Sequence, residues 1–332
     1  MREYNFTGTN TAEIVRIRPQ TRSRHMPKQA RDAIFIIVML AYPVIQFLVT
    51  WIFVNFGALA NAFNGATQEG EAFRFTFENF GYIFRDLGDS LEDKSGFLHL
   101  NRHVLVLLNS LGYCFITIFI SLPLSMLFSY FLRKKMPIAN VFRAIFFLPN
   151  IIPIVALTYA FRMSATKNIG YMSWLFEAFG LNWASDYPDA QIMVYLYCIW
   201  AGLGYNIILF SGAIGRIPKE LFESAELDHA GYFKEFFHVV VPCIWPTVVT
   251  LIVLGMTHVL TLYLQPMLLI GGEGPNTYTI AYSIFEAAST PGATPGSIHK
   301  ATAYGLFFSV IWAPIILLVR HFVSKKYDGI GY

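Results

Sequence analysis

The charged residues with the clearest spacing lie in one segment between two apolar stretches of the chain. The segment opens with Pro218, and Glu220, Glu223 and Glu226 follow at three-residue intervals. Proline is accepted in the first turn of a helix, where its missing N–H costs nothing, and carboxylates near that end are favoured by the helix dipole. The segment therefore predicts a short helix with an acidic face, suited to docking another protein.

A second short helix is predicted just beyond this one. Asp228 is placed to cap a helix beginning near Ala230, with Gly231 loosening the turn. An aromatic face follows, made of Tyr232, Phe233, Phe236 and Phe237. We expect an apolar face to pack on the rest of the protein, while the small residues Ser224 and Ala225, with Ala230, let a partner approach the backbone closely. On spacing alone, a solvated amphipathic connector is the favoured interpretation.

The composition indicates that lipid surrounds much of the chain. Of the 332 residues, 55% are hydrophobic and only 14% are charged, whereas a soluble domain carries roughly 25% charged residues. A net charge of +3 gives no argument for nucleic acid as a partner. The first 32 residues are polar and basic, so no cleaved signal peptide is predicted.

Six stretches are long enough to cross a membrane, because a bilayer core of about 30 Å needs roughly 20 apolar residues in a helix. Backbone polar groups must be paired inside hydrocarbon, so we expect helices even where prolines occur. The predicted spans are 33–56, 104–132, 145–163, 190–212, 240–262 and 301–323. The prolines expected to kink them are Pro43, Pro123, Pro149, Pro153, Pro246 and Pro314.

The basic residues predict the orientation of these spans. Of the 24 Lys and Arg residues, 17 lie in the two termini and in the loops that share their side. Basic loops stay in the cytoplasm, which predicts that both termini are cytoplasmic. The predicted organisation is a basic cytoplasmic tail (1–32), a six-span domain (33–323) containing a cytoplasmic loop (213–239), and a C-terminal tail (324–332). The outer loops 57–103 and 262–300 are long enough for short interfacial helices or an external cap.

Polar residues within or beside the spans are mostly uncharged. His258 and Arg162 are the ionisable exceptions, and His258 fits a hydrogen bond within the bundle better than a proton relay. The candidate lining of a pathway for cargo is Asn109, Asn150, Tyr205, Asn206, Tyr263 and Gln265. Amide and hydroxyl groups pair with sugar hydroxyls, although the same residue types also join helices in membranes.

Residues typical of catalysis or metal binding are missing from the sequence. Cys114, Cys198 and Cys243 lie in apolar runs, which argues against disulfides and thiolate metal sites. No paired carboxylates or nucleophile–base pair occur at membrane depth. No Gly-x-x-x-x-Gly-Lys-Ser/Thr loop is present, and Gly271–Pro275 is a turn cluster without the helix that would cradle a phosphate. We therefore predict no catalytic residue, no metal site and no cofactor bound by this chain.

The charged segment resembles the signature loop of the membrane subunits of ATP-binding-cassette (ABC) importers. The similar residues are Ile217-Pro218, Glu223-Ser224-Ala225, Asp228-His229-Ala230 and Pro242. The family pattern is Glu-Ala-Ala, Asp-Gly-Ala and Leu-Pro, so Ser224 replaces an alanine and His229 replaces a glycine. If that glycine position requires positive φ, His229 costs about 1 kcal/mol.

The resemblance extends over residues 35–325 and is closest to the first of two paired permeases in oligosaccharide uptake, such as those for maltose or glycerol phosphate. It is carried by Tyr42-Pro43, Phe80-Gly81-Tyr82-Ile83-Phe84, Leu148-Pro149, Trp200, Gly204-Tyr205-Asn206, Gly271–Pro275 and Tyr304-Gly305. It implies an all-α type I importer permease fold in the plasma membrane of a prokaryote. Residues 219–231 would form the coupling helix and its turn, with Glu223 contacting an ATPase.

The resemblance also implies a division of labour among several chains. The expected partners are a second permease subunit, two ATPase subunits that bind ATP and Mg, and an extracytoplasmic solute-binding protein. This chain would then be a non-enzymatic transport subunit for a carbohydrate, expected to be an oligosaccharide. The alternatives are an ion-coupled secondary carrier or channel, or an ABC importer of another solute class.

Overall fold

The computed structural model describes residues 28–66, 68, 70–88, 102–134, 138–166, 170–181, 189–270 and 277–327. Within these ranges the protein is helical and contains no strand, only an isolated bridge between Asn64 and Phe75. This confirms the predicted all-α class. The Gly271–Pro275 cluster and most of both predicted tails lie outside the described ranges.

The chain divides into two compact units, Met1–Asn55 and Phe56–Tyr332. The first contains most of helix α1, Lys28–Ala62, with Pro43 inside it. Apolar side chains along α1, such as Phe53 and Tyr42, are about three-quarters exposed. A helix with so much uncovered apolar surface is suited to contact with lipid or another apolar surface, not water.

The second unit holds the remaining helices. In chain order they are α2 Glu78–Gly88, α3 Arg102–Ile116, α4 Leu122–Arg133, α5 Ala139–Ile151, α6 Ile154–Ala165, α7 Ser173–Ala178, α8 Asp189–Gly215, α9 Lys219–Leu227, α10 Tyr232–Glu235, α11 Val241–Cys243, α12 Trp245–Thr261, α13 Leu264–Ile270, α14 Ile280–Ser289 and α15 Pro295–Ser324. Helices α2, α13 and α14 occupy the two long loops for which short helices were predicted.

All six predicted spans fall on helical structure. Four are helices long and apolar enough to cross a membrane, namely Arg31–Ala62, Val104–Arg133, Asp189–Gly215 and Pro295–Ser324. The other two are bent pairs, Ala139–Ile151 with Ile154–Ala165 and Tyr232–Cys243 with Trp245–Thr261. By length and composition, the described residues therefore contain four candidate spans, or six if each bent pair crosses as one.

Two prolines lie where the bent pairs break. Pro153 separates α5 from α6, which differ in direction by 104°, and the preceding Ile152 is extended with ψ of 135°. Proline disfavours a helical conformation of the residue before it, and at Ile152 the helix ends. Pro246, in the first turn of α12, follows the 76° break. By contrast Pro43, Pro149 and Pro314 lie inside continuous helices.

Two other prolines explain two short π-helices. Thr117–Ser121 precedes Pro123, and Phe236–Val240 precedes Pro242. In each case the residue before the proline donates its N–H five residues back, from Leu122 to Thr117 and from Val241 to Phe236. Since proline has no N–H to donate four residues back, the hydrogen-bond pattern shifts by one residue at these positions.

Helix α8 is the centre of the second unit. At Gly204 it approaches α5 so closely that a Cβ atom there would lie 2.0 Å from the carbonyl oxygen of Phe146. Toward its C-terminal end, Phe210 and Ile214 are completely buried, in a core shared with Phe236 and Val240 from the charged segment. The charged segment is therefore fixed to the central helix of the bundle by apolar packing.

Candidate functional site

Helix α9 is the predicted first helix of the charged segment. Pro218 occupies the position before it, with ψ of 141°, and the helix runs over Lys219–Leu227. Glu220 lies in its first turn, where the helix dipole stabilises a carboxylate. The helix has only nine residues, so Glu226 lies in its last turn and gains nothing from the dipole, contrary to the prediction for all three glutamates.

The turn that ends α9 places His229 in a position that usually holds glycine. Ala230 N–H donates to Ala225 O at 2.9 Å, and His229 N–H donates to Glu226 O at 3.1 Å. This is the Schellman pattern, whose central residue adopts a left-handed conformation and is usually glycine. His229 has φ of 50°, so this residue carries the strain expected if the position needs positive φ, about 1 kcal/mol.

The sequence predicted that Asp228 caps the second helix, and this prediction is wrong. Asp228 is the C-cap of α9, and Gly231 takes the N-cap position of α10 without a side-chain hydrogen bond. The Schellman turn requires Asp228 at the end of the first helix. The second helix, Tyr232–Glu235, therefore begins two residues later than predicted.

The exposed surface of the segment is acidic and partly aromatic. Glu220, Glu223 and Ser224 are exposed, whereas Ala225 is buried against the bundle. Ala225 is thus not available to a partner, contrary to the expectation from its size. Of the four predicted aromatic residues only Phe236 is buried, while Tyr232, Phe233 and Phe237 are more than half exposed.

A buried ion pair joins the charged segment to the end of α4. The Nζ of Lys134 lies 2.7 Å from Oε2 of Glu235, whose side chain is 1% exposed. The same ammonium lies 3.9 Å from Oε1 of Glu226 on α9 and 5.1 Å from the ring centroid of Tyr232. One cation at the end of a span therefore holds both short helices of the segment.

Two neighbouring side chains of α4 strengthen this connection. The guanidinium of Arg133 lies 4.0 Å from the ring centroid of Phe222 on α9, and it donates to the carbonyl of Ile214 at the end of α8. The hydroxyl of Tyr130 donates to the carbonyl of Tyr232 at 3.2 Å. We call Tyr130, Arg133, Lys134 and Glu235 the α4 joint. A pocket of about 350 Å³ lies between the α4 joint and α9, and Glu223 is on its wall.

The segment ends at Pro242, the last residue of the family signature. Pro242 is buried in α11 and causes the π-helix described above. The irregular hydrogen bonds and the 76° bend that follows both lie between the α4 joint and α12. Such irregular turns are common at functional sites, and here they separate the charged segment from the span that it leads into.

A second candidate site is a cavity of about 450 Å³ inside the bundle. Its walls come from α4, α5, α6, α8, α12 and α13, and from the π-helix before α4. Among the described residues that line it there is no Asp, Glu, Lys or Arg. Its polar groups are Thr117, Ser121, Asn150, Tyr197, Cys198, Tyr205, Asn206, His258 and Gln265.

The structure brings four of the six predicted pathway residues to this cavity. They are Asn150, Tyr205, Asn206 and Gln265. Tyr205 is half exposed, and Asn150 donates its side-chain amide to the carbonyl of Ala201 at 3.2 Å. His258, for which the sequence predicted a hydrogen bond within the bundle, also lines the cavity.

Asn109 and Tyr263 do not line this cavity. Asn109 is 2% exposed and donates to the carbonyl of Tyr278 at 3.1 Å, so it fixes the start of the α14 region to α3. The hydroxyl of Tyr278 donates to Glu286 at 2.6 Å. Burial and this carboxylate raise the pKa of Tyr278, which keeps it protonated as a donor. Tyr263 stacks on Phe285 with ring centroids 5.1 Å apart.

Sequence reasoning missed the α4 joint. In the sequence, Arg133 and Lys134 contribute only to the basic charge of a loop, and Glu235 belongs to no motif. A signal was present, because Glu235 precedes Phe236 and lies on the buried side of a short amphipathic helix. An acidic residue at such a position predicts a cationic partner.

Residues 121–326 match the family described as "Binding-protein-dependent transport system inner membrane component". This chain belongs to that family. The matched range contains the charged segment, the α4 joint and every wall of the cavity except Thr117. Membership places the chain in the membrane.

Curated relatives in the family include two proteins of Bacillus subtilis (strain 168). The chain is 32% identical over 149 residues to "Probable ABC transporter permease protein YurN", covering 43% of this chain and 51% of YurN. It is 23% identical over 228 residues to "Arabinooligosaccharides transport system permease protein AraP", covering 67% of this chain and 70% of AraP. The chain thus aligns with only about half the length of YurN.

The fold matches that of a solved ABC importer. A chain in the crystal structure of a bacterial alginate ABC transporter, in complex with an alginate pentasaccharide-bound periplasmic protein, superposes with a TM-score of 0.73. The match covers 92% of this chain and 99% of that chain at 21% identity. It confirms the importer permease fold.

Proposed function

We propose that this chain is a membrane subunit of an ATP-driven importer that moves a carbohydrate, expected to be an oligosaccharide, across the cytoplasmic membrane. The observation that carries the proposal is α9, a short helix with an exposed acidic edge that is fixed to the bundle through the α4 joint. A helix held in this way transmits force from a partner to the spans. A solvated connector would not need a buried ion pair and a cation–aromatic contact to hold it in place.

Separate chains supply the chemical energy and deliver the solute. The sequence has no phosphate-binding loop, so ATP and Mg bind to two ATPase subunits that contact α9 at Glu223. A second permease completes the pathway, and a solute-binding protein delivers the cargo outside. Both termini are cytoplasmic, which puts α9 on the same side of the membrane as the ATPases.

Binding of the partners must supply the free energy that shifts the pathway between its two states. Shifting a pathway from 1:99 to 99:1 between inward- and outward-facing states takes about 5.5 kcal/mol of differential binding. Contacts of two ATPases with two permeases on the inside and contacts of the binding protein on the outside would share this amount. The bends at Pro153 and before Pro246 are the positions where we expect the cavity walls to move.

The cavity supports carbohydrate as the cargo. Its described lining offers amide, hydroxyl and imidazole groups beside aromatic rings, and no charged group. These groups match the hydroxyls and apolar faces of a neutral sugar. An anionic sugar would lose its hydration here without gaining an opposite charge from this subunit. The name of AraP refers to arabinooligosaccharides, which are neutral and fit the same description.

An ion-coupled carrier is the alternative function. The described cavity lining has no carboxylate that would bind a sodium ion or a proton, which disfavours this alternative. Reconstitution of the purified chain in vesicles, with and without its ATPase and permease partners, tests the choice. The proposal predicts uptake only for the assembled complex with ATP. Uptake by the chain alone under a sodium or proton gradient would establish the carrier instead.

A further inference from the structure

Five phenylalanines, three of them exposed, lie close together after the end of α1 and on α2. The ring of Phe63 lies between 5.2 and 5.4 Å from those of Phe75, Phe77 and Phe80. Phe84 is one turn beyond Phe80 on α2 and on the same face. We call Phe63, Phe75, Phe77, Phe80 and Phe84 the aromatic patch. Phe75, Phe77 and Phe84 are each more than 60% exposed, which is a large apolar surface to leave in water.

Helix α15 fixes the depth of the aromatic patch relative to the bilayer. Residues 301–319 of α15 contain no charged side chain and are bounded by Lys300 and Arg320. At 1.5 Å per residue, this run is about 29 Å long, which equals the hydrocarbon thickness of a bilayer. Lys300 therefore marks one boundary of the hydrocarbon, at the end of α15 next to α2.

Two contacts place α2 at that boundary. The Nζ of Lys300 lies 3.9 Å from the ring centroid of Tyr82, and the ring of Phe84 lies 5.3 Å from that of Phe307. Phe307 is seven residues, or about 10 Å, inside Lys300 along the helix. The aromatic patch thus lies at the boundary of the hydrocarbon, between the head groups and roughly the first 10 Å of the acyl chains.

Three cations lie near the patch. The guanidinium of Arg85 lies 5.7 Å from the ring centroid of Tyr82, and Arg74 is exposed beside Phe75 while forming an ion pair of 3.7 Å with Glu78. Together with Lys300 these groups provide positive charge next to an apolar surface. That combination matches a phospholipid, whose phosphate and acyl chains meet at the same depth.

We propose that the aromatic patch binds phospholipid, with its phenylalanine rings among the upper acyl carbons and Arg74, Arg85 and Lys300 near the phosphates. The α2 region then lies on the membrane surface as an anchor beside α15. Membrane location alone supports this anchor, whichever solute the protein imports. A soluble partner covering the patch is the competing outcome of the test.

Site-directed spin labelling tests the proposal. A nitroxide is attached to Phe77→Cys or Phe84→Cys in a chain whose three native cysteines are replaced by alanine, and the assembled complex is placed in phosphatidylethanolamine–phosphatidylglycerol vesicles. Collisions with molecular oxygen, which concentrates in hydrocarbon, are compared with collisions with a water-soluble nickel chelate. Gln68→Cys is the control, because Gln68 is exposed in the same loop and outside the patch.

The expected result is an oxygen-to-nickel ratio several-fold higher at positions 77 and 84 than at position 68. Equal ratios would place the patch in water and overturn the proposal, and low collision rates with both reagents would show that protein covers it, with the same consequence. A second measurement needs no substitution. Phosphatidylglycerol with a photoreactive group near its glycerol should crosslink to residues 71–85 of the native chain, and absence of crosslinks there would also overturn the proposal.

Discussion

The Nζ of Lys134, one residue beyond the end of α4, lies 2.7 Å from the buried carboxylate of Glu235 in the charged segment. The two residues are 101 positions apart in the sequence. Through this pair the end of a membrane span and the segment beyond α9 are held together, and Glu226 brings α9 itself into contact with the same ammonium.

Removing one member of this pair should destabilise the protein. Lys134→Met leaves the Glu235 carboxylate buried without its partner, which typically costs about 3 kcal/mol or more. Thermal unfolding of the detergent-solubilised complex measures the loss. Combining Lys134→Met with Glu235→Leu should restore most of the stability, because an apolar pair of similar volume replaces the ion pair.

Lys234→Met is the matched control for this experiment. Lys234 is exposed in the same segment and has no ion pair among the described residues, so its replacement should change stability by less than about 0.5 kcal/mol. Equal effects of the two lysine substitutions would show that the α4 joint does not hold the segment.

Replacing His229 by glycine should stabilise the turn after α9. His229 has φ of 50°, and a residue with a Cβ pays about 1 kcal/mol for that conformation. His229→Gly should therefore raise the free energy of unfolding by up to about 1 kcal/mol, seen as a higher unfolding temperature. His229→Val should lower it, because a β-branched side chain is strained further. The opposite order would mean that the His229 side chain makes a compensating contact.

Two glycines of α8 should respond differently to alanine. A Cβ at Gly204 would lie 2.0 Å from the carbonyl oxygen of Phe146, whereas a Cβ at Gly202 has no neighbour nearer than 3.7 Å. Gly204→Ala should therefore force α5 and α8 apart and cost about 1–3 kcal/mol. Gly202→Ala should be within about 1 kcal/mol of the native protein. Similar unfolding temperatures for the two variants would contradict the close approach at Gly204.

Uptake kinetics can distinguish a residue that lines the cavity from one that only holds helices together. Gln265→Ala removes a polar group from the cavity wall and should raise the KM for uptake roughly fivefold, which corresponds to about one hydrogen bond. Asn109→Ala instead removes the bond to Tyr278 and should cost about 1 kcal/mol of stability without changing KM. Uptake assays with a neutral oligosaccharide measure both, and a raised KM for Asn109→Ala alone would reverse the assignment.

The sequence was sufficient for the fold because apolar length and polar loops determine helices in lipid. A bend at Pro153 was one of the six that were expected, since proline disfavours a helical conformation of the residue before it. Pro314 is likewise a proline within an apolar span, yet it lies inside a continuous helix. Neighbouring helices and local adjustments can satisfy the carbonyl that the proline leaves without a hydrogen bond. Which prolines break a helix therefore depends on packing that one sequence does not show.

The functional segment was predictable in its position and less so in its detail. The order of residue types located the segment, while the nine-residue length of α9 decided that Asp228 ends the first helix and does not cap the second. The α4 joint depends on contacts between residues about 100 positions apart, such as Tyr130 with Tyr232. Such contacts follow from the packed bundle and not from local spacing.

The central claim is that α9 transmits work from ATPase partners to the spans, and Glu223→Ala tests it most directly. Glu223 is exposed on α9, so its replacement should leave folding and membrane insertion unchanged. Glu177→Ala, an exposed carboxylate on α7, is the control. The measurement is the number of solute molecules taken up per ATP hydrolysed by the complete complex in vesicles. We expect this ratio to fall at least about tenfold for Glu223→Ala, equivalent to about 1.4 kcal/mol, and to stay unchanged for Glu177→Ala. An unchanged ratio for Glu223→Ala would contradict the claim.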